Sequence, residues 1–308
     1  MTDLSITQYN PNNMSQNYGY YPVLRGITEP TKVGCNSVPQ MTSQPDKVTL
    51  SNKQPMSKQK KTLLALGGFL TAALGTVLAV KGYRSHQITK GLEQIEQKFL
   101  KLQENIPEVQ STFKDVFLRT DITEKEALEM LNRYKEVEKI GITGTKEEYI
   151  QAMFKEAKKN YGFDHLPSEL RIVDTPIMGD ERVLAFTSPL GGIDVRSTIK
   201  HSDIMDTIHH EFRHLKQRQY AFNLSPDEYV RFNQPNNMTI PKEAFEYALG
   251  GKANIANIPV QYMEFAEKSS KGILSYCSVK DSEAGYLAQW IEQDAYKTGQ
   301  QIAKLLQK

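Results

Sequence analysis

Residues 208–215 read Ile208-His209-His210-Glu211-Phe212-Arg213-His214-Leu215, and no other stretch constrains the fold as tightly. On a helix, residues four apart stand one above the other on the same face. His210 and His214 can therefore turn two imidazoles toward one metal ion. Glu211 follows His210 directly and can reach a water on that ion. Two nitrogen ligands with an adjacent carboxylate base form the ligand-plus-base arrangement of a zinc hydrolase. A catalytic zinc takes three protein ligands and leaves one position open, so a second element has to bring the third ligand to this helix.

The chain has 308 residues, enough for one large domain or two modest ones. A net charge of +2 gives no global case for nucleic-acid binding. Cys35 and Cys277 are the only cysteines, and a pair so distant makes neither a disulfide framework nor a cysteine-based zinc site.

Residues 1–57 are rich in Asn, Gln, Ser, Pro and Thr, with apolar residues lacking any period; they are expected to be disordered. Residues 62–80 carry no charge, and a helix of that length spans the roughly 30 Å of a bilayer core. A transmembrane helix is expected there, with lipid membrane as a partner. Lys47, Lys53, Lys58, Lys60 and Lys61 precede it, against Lys81, Arg84 and Lys90 after it. That balance places the N-terminus in the cytoplasm and the catalytic domain of a single-pass protein on the non-cytoplasmic side.

Ile88, Leu92, Ile95, Phe99, Leu102, Ile106, Val109, Phe113 and Val116 alternate at spacings of four and three. This is the seam of an amphipathic helix over 85–117, broken or kinked at Pro107. Two roles stay open. The seam can be a coiled-coil stalk that forms a homodimer through 88–116, or it can fold back onto the C-terminal domain.

From about residue 118 the pattern is that of one domain reaching 308. Thr123 with Glu126 and Thr145 with Glu148 read as capping boxes. Leu128, Leu131 and Val137 form part of the first helix's apolar face. Strands are expected at 170–173, 183–187 and 193–197, followed by the His210 helix, capped by Ser202 or Asp203. The expected fold class is α+β.

That order, with His210, Glu211 and His214 on the helix, resembles the zincin metallopeptidases. The resemblance implies a small twisted sheet of about three or more strands packed on an active-site helix and further helices. It also implies a water activated by zinc and by Glu211 to cut peptide bonds, with a peptide or protein as substrate. A third histidine of the metzincin kind is absent, because Tyr220 stands where it would fall. His201 and His209 are poorly placed, so a carboxylate is expected. Asp227, Glu228, Glu243, Glu246, Glu264 and Glu267 are candidates in the middle of the domain. The run from Tyr286 to Tyr296, without a breaker, points more strongly to Glu292: Ala295 shares its face and would let this helix approach closely. Glu-x-x-Ala resembles the glutamate-zincin pattern, although Tyr296 stands where that pattern often has Asp. Tyr286, Tyr296 and His209 are the candidate donors to an oxyanion, and Asp294 reads as a surface charge. The expected function is thus a membrane-anchored zinc peptidase. Its alternatives are a non-enzymatic zincin-like envelope or interaction protein and a zinc-dependent amidase acting on a non-peptide substrate.

Overall fold

The computed structural model describes residues 22–24, 85–234, 239–276 and 282–307. The chain forms two compact units, Met1–Arg25 with Leu92–Lys308, and Gly26–Gly91; of the second only 85–91 are described, and they are helical. All that follows concerns the first.

Residues 85–104 are helical (α1) and lead to α2 (Ile106–Phe117). The break falls at Asn105, with Pro107 in the first turn of α2, where a missing amide proton does no harm. α3 (Glu124–Thr143) and α4 (Lys146–Asn160) follow. Thr145 and Glu148 close a full capping box on α4. On α3 only half of one forms: Thr123 accepts from the Glu126 amide, while the Glu126 carboxylate pairs with Arg119 at 2.8 Å. Leu128 is exposed, contrary to expectation; Ala127, Met130, Leu131, Tyr134 and Val137 form the buried stripe instead.

The strands lie where alternation places them. They are β2 (Leu170–Val173), β3 (Val183–Thr187) and β4 (Ile193–Arg196). β2 runs parallel to β4 and β3 antiparallel to it. A short strand β1 (Pro22–Leu24) pairs antiparallel with β3, giving the order β1-β3-β4-β2. Within the tail expected to be disordered, these three residues are the only ones described; Cys35 and Cys277 fall outside the described residues.

A 3-10 turn (His201–Asp203) opens α5 (Ile204–Leu224), which is buried on nearly all sides. α6 (Pro226–Phe232), α7 (Lys242–Leu249) and α8 (Met263–Leu274) wrap it. The run from Tyr286 to Tyr296 is two helices, not one. α9 (Glu283–Ala288) and α10 (Trp290–Gln307) meet at an extended Gln289. That break lets Tyr286 turn back on Glu292, as described below.

The expected fold needs two corrections. Residues 62–80 lie outside the described residues, and among those described no helix is long and apolar enough to cross a membrane. Among the described residues the fold is an α+β domain without a membrane-spanning helix. The lipid partner, the single-pass placement and the non-cytoplasmic catalytic domain all rested on that helix, and none of them finds support among the described residues. The coiled-coil stalk falls as well: Ile95, Phe99, Val109, Phe113 and Val116 lie in the core with residues as distant as Ile302 and Leu306. The inner positions of the seam are thus taken up by the chain's own core, while Leu92, Leu102 and Ile106 are half-buried.

α5 and α10 pack tightly where Gly299 faces Asp206. A Cβ at Gly299 would run into the Asp206 carboxylate and lie 2.5 Å from the Asp206 carbonyl oxygen. Gly299→Ala is expected to destabilise the domain by about 1–3 kcal/mol, read as a lowered midpoint in urea unfolding. A fragment begun at residue 118 loses Phe99, Val109, Phe113, Val116 and Phe117 from the core. It should aggregate, whereas one begun at 92 should elute as a monomer with matching light scattering.

Candidate metal centre

His210 and His214 lie one turn apart on α5, and their Nε2 atoms are 2.9 Å apart. Glu292, in the first turn of α10, places Oε2 3.5 Å from each of those nitrogens. The three side chains are 0–1% exposed, and among the described residues they form the one histidine, cysteine and carboxylate cluster able to hold a metal ion. A tetrahedral zinc with bonds near 2.0–2.2 Å would set donor separations of about 3.3–3.5 Å. Two edges of the triangle meet that, and the histidine–histidine edge needs to open by a few tenths of an ångström. His210 Nδ1, Glu211 Oε1 and Glu292 Oε1 are buried and find no hydrogen-bond partner among the described residues. Buried polar atoms normally have partners. An unpaired carboxylate oxygen on the ligand Glu292 and another on Glu211, the neighbour of His210, fit a site for a cation and a water.

The electrostatics agree. Burial pushes the Glu292 carboxyl up, but His214 and His210 outweigh it and hold it down at about 2. Burial and the neighbouring His214 hold His210 down at about 4. Burial disfavours charge on His214 too, yet the Glu292 carboxylate raises it. An anionic carboxylate facing two imidazoles keeps a positive charge at the point where the three donors converge.

Glu211 stands apart from that pairing. Its Oε2 accepts from the Thr187 hydroxyl at 2.6 Å, and the same hydroxyl lies 3.0 Å from the Glu211 backbone oxygen. Thr187 is the last residue of β3 and is held in turn by Arg218, which donates to its carbonyl at 3.3 Å. Burial pushes the Glu211 carboxyl up to about 8 against the lowering effect of His214.

The ligands differ in how they are held. His214 Nδ1 faces Gln217 Oε1 at 2.8 Å. Gln217 Nε2 donates to the Ile291 carbonyl at 3.0 Å and to Asp294 at 2.9 Å. Asp294 accepts two bonds from Arg213, which also donates to the Asp115 and Val116 carbonyls at the end of α2. His210 is backed by the Tyr296 ring, edge-on at 4.6 Å. The Tyr286 hydroxyl donates to Glu292 Oε2 at 2.6 Å.

Of the sequence candidates, Glu292 joins the two histidines. Asp227, Glu228, Glu243, Glu264 and Glu267 are exposed, two of them paired with Lys242 and Lys268, and Glu246 lies outside the cluster. His209 turns away, its Nε2 3.1 Å from the Tyr134 hydroxyl, among Phe117 and Tyr161. His201 stacks on Tyr149. Asp294 is no surface charge but is paired and mostly buried. Nothing in the sequence alone points to Thr187 or Arg213. Gln217 carried a signal, since three residues past His214 it shares the ligand face; Thr187 carried none without the sheet register. Comparison with family models, curated proteins and solved structures gives no match, and the site is read from its own geometry.

The Glu211 environment makes a pH-dependent prediction. Above its ordinary value of 4.5 the unfolded chain releases this proton, while the folded, metal-free domain retains it to about 8. Folding is therefore penalised increasingly between those two values. Glu211→Gln removes the penalty. The metal-free variant should match the parent near pH 4.5 and exceed it by roughly 2–5 kcal/mol at pH 8.5, measured by denaturant unfolding across pH.

Proposed function

We propose that this domain is a zinc-dependent peptidase of the zincin kind, with His210, His214 and Glu292 as ligands and Glu211 as general base. The observation that carries the reading is the convergence of those three donors at one buried point, with Glu211 beside them presenting an unpaired Oε1. Two imidazoles and a carboxylate suit zinc and leave its fourth position open. When bound, zinc would polarise a water and the carbonyl to be attacked.

The chain's own residues account for the proton. Glu211 receives it at Oε1 while Thr187 holds Oε2, then returns it to the departing nitrogen. Arg218 keeps Thr187 in place through its carbonyl. Tyr286, held protonated by burial and by the Glu292 charge, fixes the ligand carboxylate. Its hydroxyl and the Tyr296 ring stand beside ligands, whereas His209 is too far turned to meet an oxyanion.

The test uses the full chain loaded with zinc and a broad peptide library. One zinc per chain and peptide cleavage are expected. Glu211→Gln should keep the zinc and lose at least 100-fold in rate, and Glu292→Ala should lose zinc affinity without unfolding. Full activity in the zinc-loaded Glu211→Gln protein would sink the mechanism. Zinc without cleavage would favour a non-enzymatic interaction protein, and cleavage restricted to small non-peptide amides would favour an amidase.

A further inference from the structure

Helix α5 reaches α10 through one amide. Gln217 Nε2 lies 3.0 Å from the Ile291 carbonyl and 2.9 Å from Asp294 Oδ2. Both of these partners can only accept. The nitrogen of the Gln217 amide must therefore face α10, and its oxygen must face His214 Nδ1, 2.8 Å away. An oxygen there accepts from an Nδ1–H, which leaves the Nε2 lone pair of His214 turned to the point where the ligands converge. The two acceptors flank Glu292 in sequence, at 291 and 294, so the same amide also holds the turn that carries the third ligand. Asp294 holds the amide and is held by Arg213, whose further bonds go to the end of α2.

We infer that Gln217 is a positioning residue of the metal centre: its amide polarity fixes the His214 tautomer and ties that ligand to the Glu292 turn, and Asp294 sets the polarity. This rests on the metal-site reading above. It has a counterintuitive consequence. A carboxylate is the stronger acceptor for a ligand histidine, yet here it would turn an oxygen toward the Ile291 carbonyl and the Asp294 carboxylate. The neutral amide is required because it donates on one side and accepts on the other.

The experiment is a double-mutant cycle on the full chain with Gln217→Glu, Asp294→Asn and both together. Zinc affinity is measured by chelator competition, and the visible spectrum of the cobalt(II)-loaded protein reports ligand geometry. Gln217→Glu should weaken zinc about 10–100-fold and alter the cobalt spectrum, and Asp294→Asn should weaken it as well. The double variant restores a donor facing an acceptor, with the asparagine amide now supplying the proton. Because the Ile291 carbonyl still faces a carboxylate oxygen and the Arg213 Nε bond to position 294 is lost, recovery is partial: the double variant should bind zinc at least tenfold more tightly than Gln217→Glu alone and move the cobalt spectrum toward that of the parent. A parent chain that takes up no zinc overturns the site reading, and this inference with it. A parent that takes up one equivalent, with Gln217→Glu equal to it or tighter, overturns the inference alone. So does a double variant that is merely the sum of the singles, because a purely structural role predicts no rescue.

Discussion

Two helices distant in sequence have to come within reach of one ion. α5 carries two of the donors and α10 the third, and side chains as short as histidine and glutamate meet only if the backbones are close. Ala295 and Gly299 supply the clearance on α10, one turn apart on the face turned to α5. At Gly299 the fit leaves no room for even a methyl group beside Asp206. The rest of the domain serves that contact: the sheet supports α5 from one side, and α2, α3 and α4 close the other.

The second constraint is electrical. Arg213, Asp294 and Glu292 are charged groups carried into the interior, Glu211 is an ionisable one beside them, and a buried charge is costly unless it is paired. Arg213 and Asp294 pair with one another, and Arg213 turns its Nη1 to the carbonyls that end α2. A helix C-terminus carries partial negative charge, so a cation is well placed there. This links the N-terminal helices to the site by an unbroken line of polar contacts: α2, Arg213, Asp294, Gln217, His214. Glu211 is left outside that line, with one oxygen unpaired, and its instability in the metal-free fold is the kind of strain expected where function is built in.

Local signals were legible in the sequence, and partnerships much less so. The four-residue spacing of His210 and His214 fixed their shared face, and Ala295 marked the helix able to approach. Short apolar runs bounded by turns located β2, β3 and β4, three of the four strands of the sheet; β1, in the tail expected to be disordered, carried no such signal. The 3,4 seam from Ile88 to Val116 said only that one face is apolar; a coiled coil and a core produce the same repeat, and only the packing of Phe99 and Phe113 against the domain separates them. Leu128 misled because Ala127, one position away, carries the buried stripe. Asp294 looked like a surface charge because its partners, Arg213 and Gln217, lie some eighty residues away. Thr187 depends on where β3 ends relative to α5, which no local pattern records.

The complete burial of the four site residues bears on time as well as affinity. A cation enclosed among α5, α9 and α10 cannot be drawn off by a chelator from outside while the helices stay packed; the enclosure has to part first. Its lifetime would then follow the frequency of that opening, and beyond a certain concentration a stronger or more abundant chelator would strip it no faster. Substrate meets the same barrier from the other direction. How tightly the ion is held and how long it stays become separate properties, one set by the donors and the other by the packing around them.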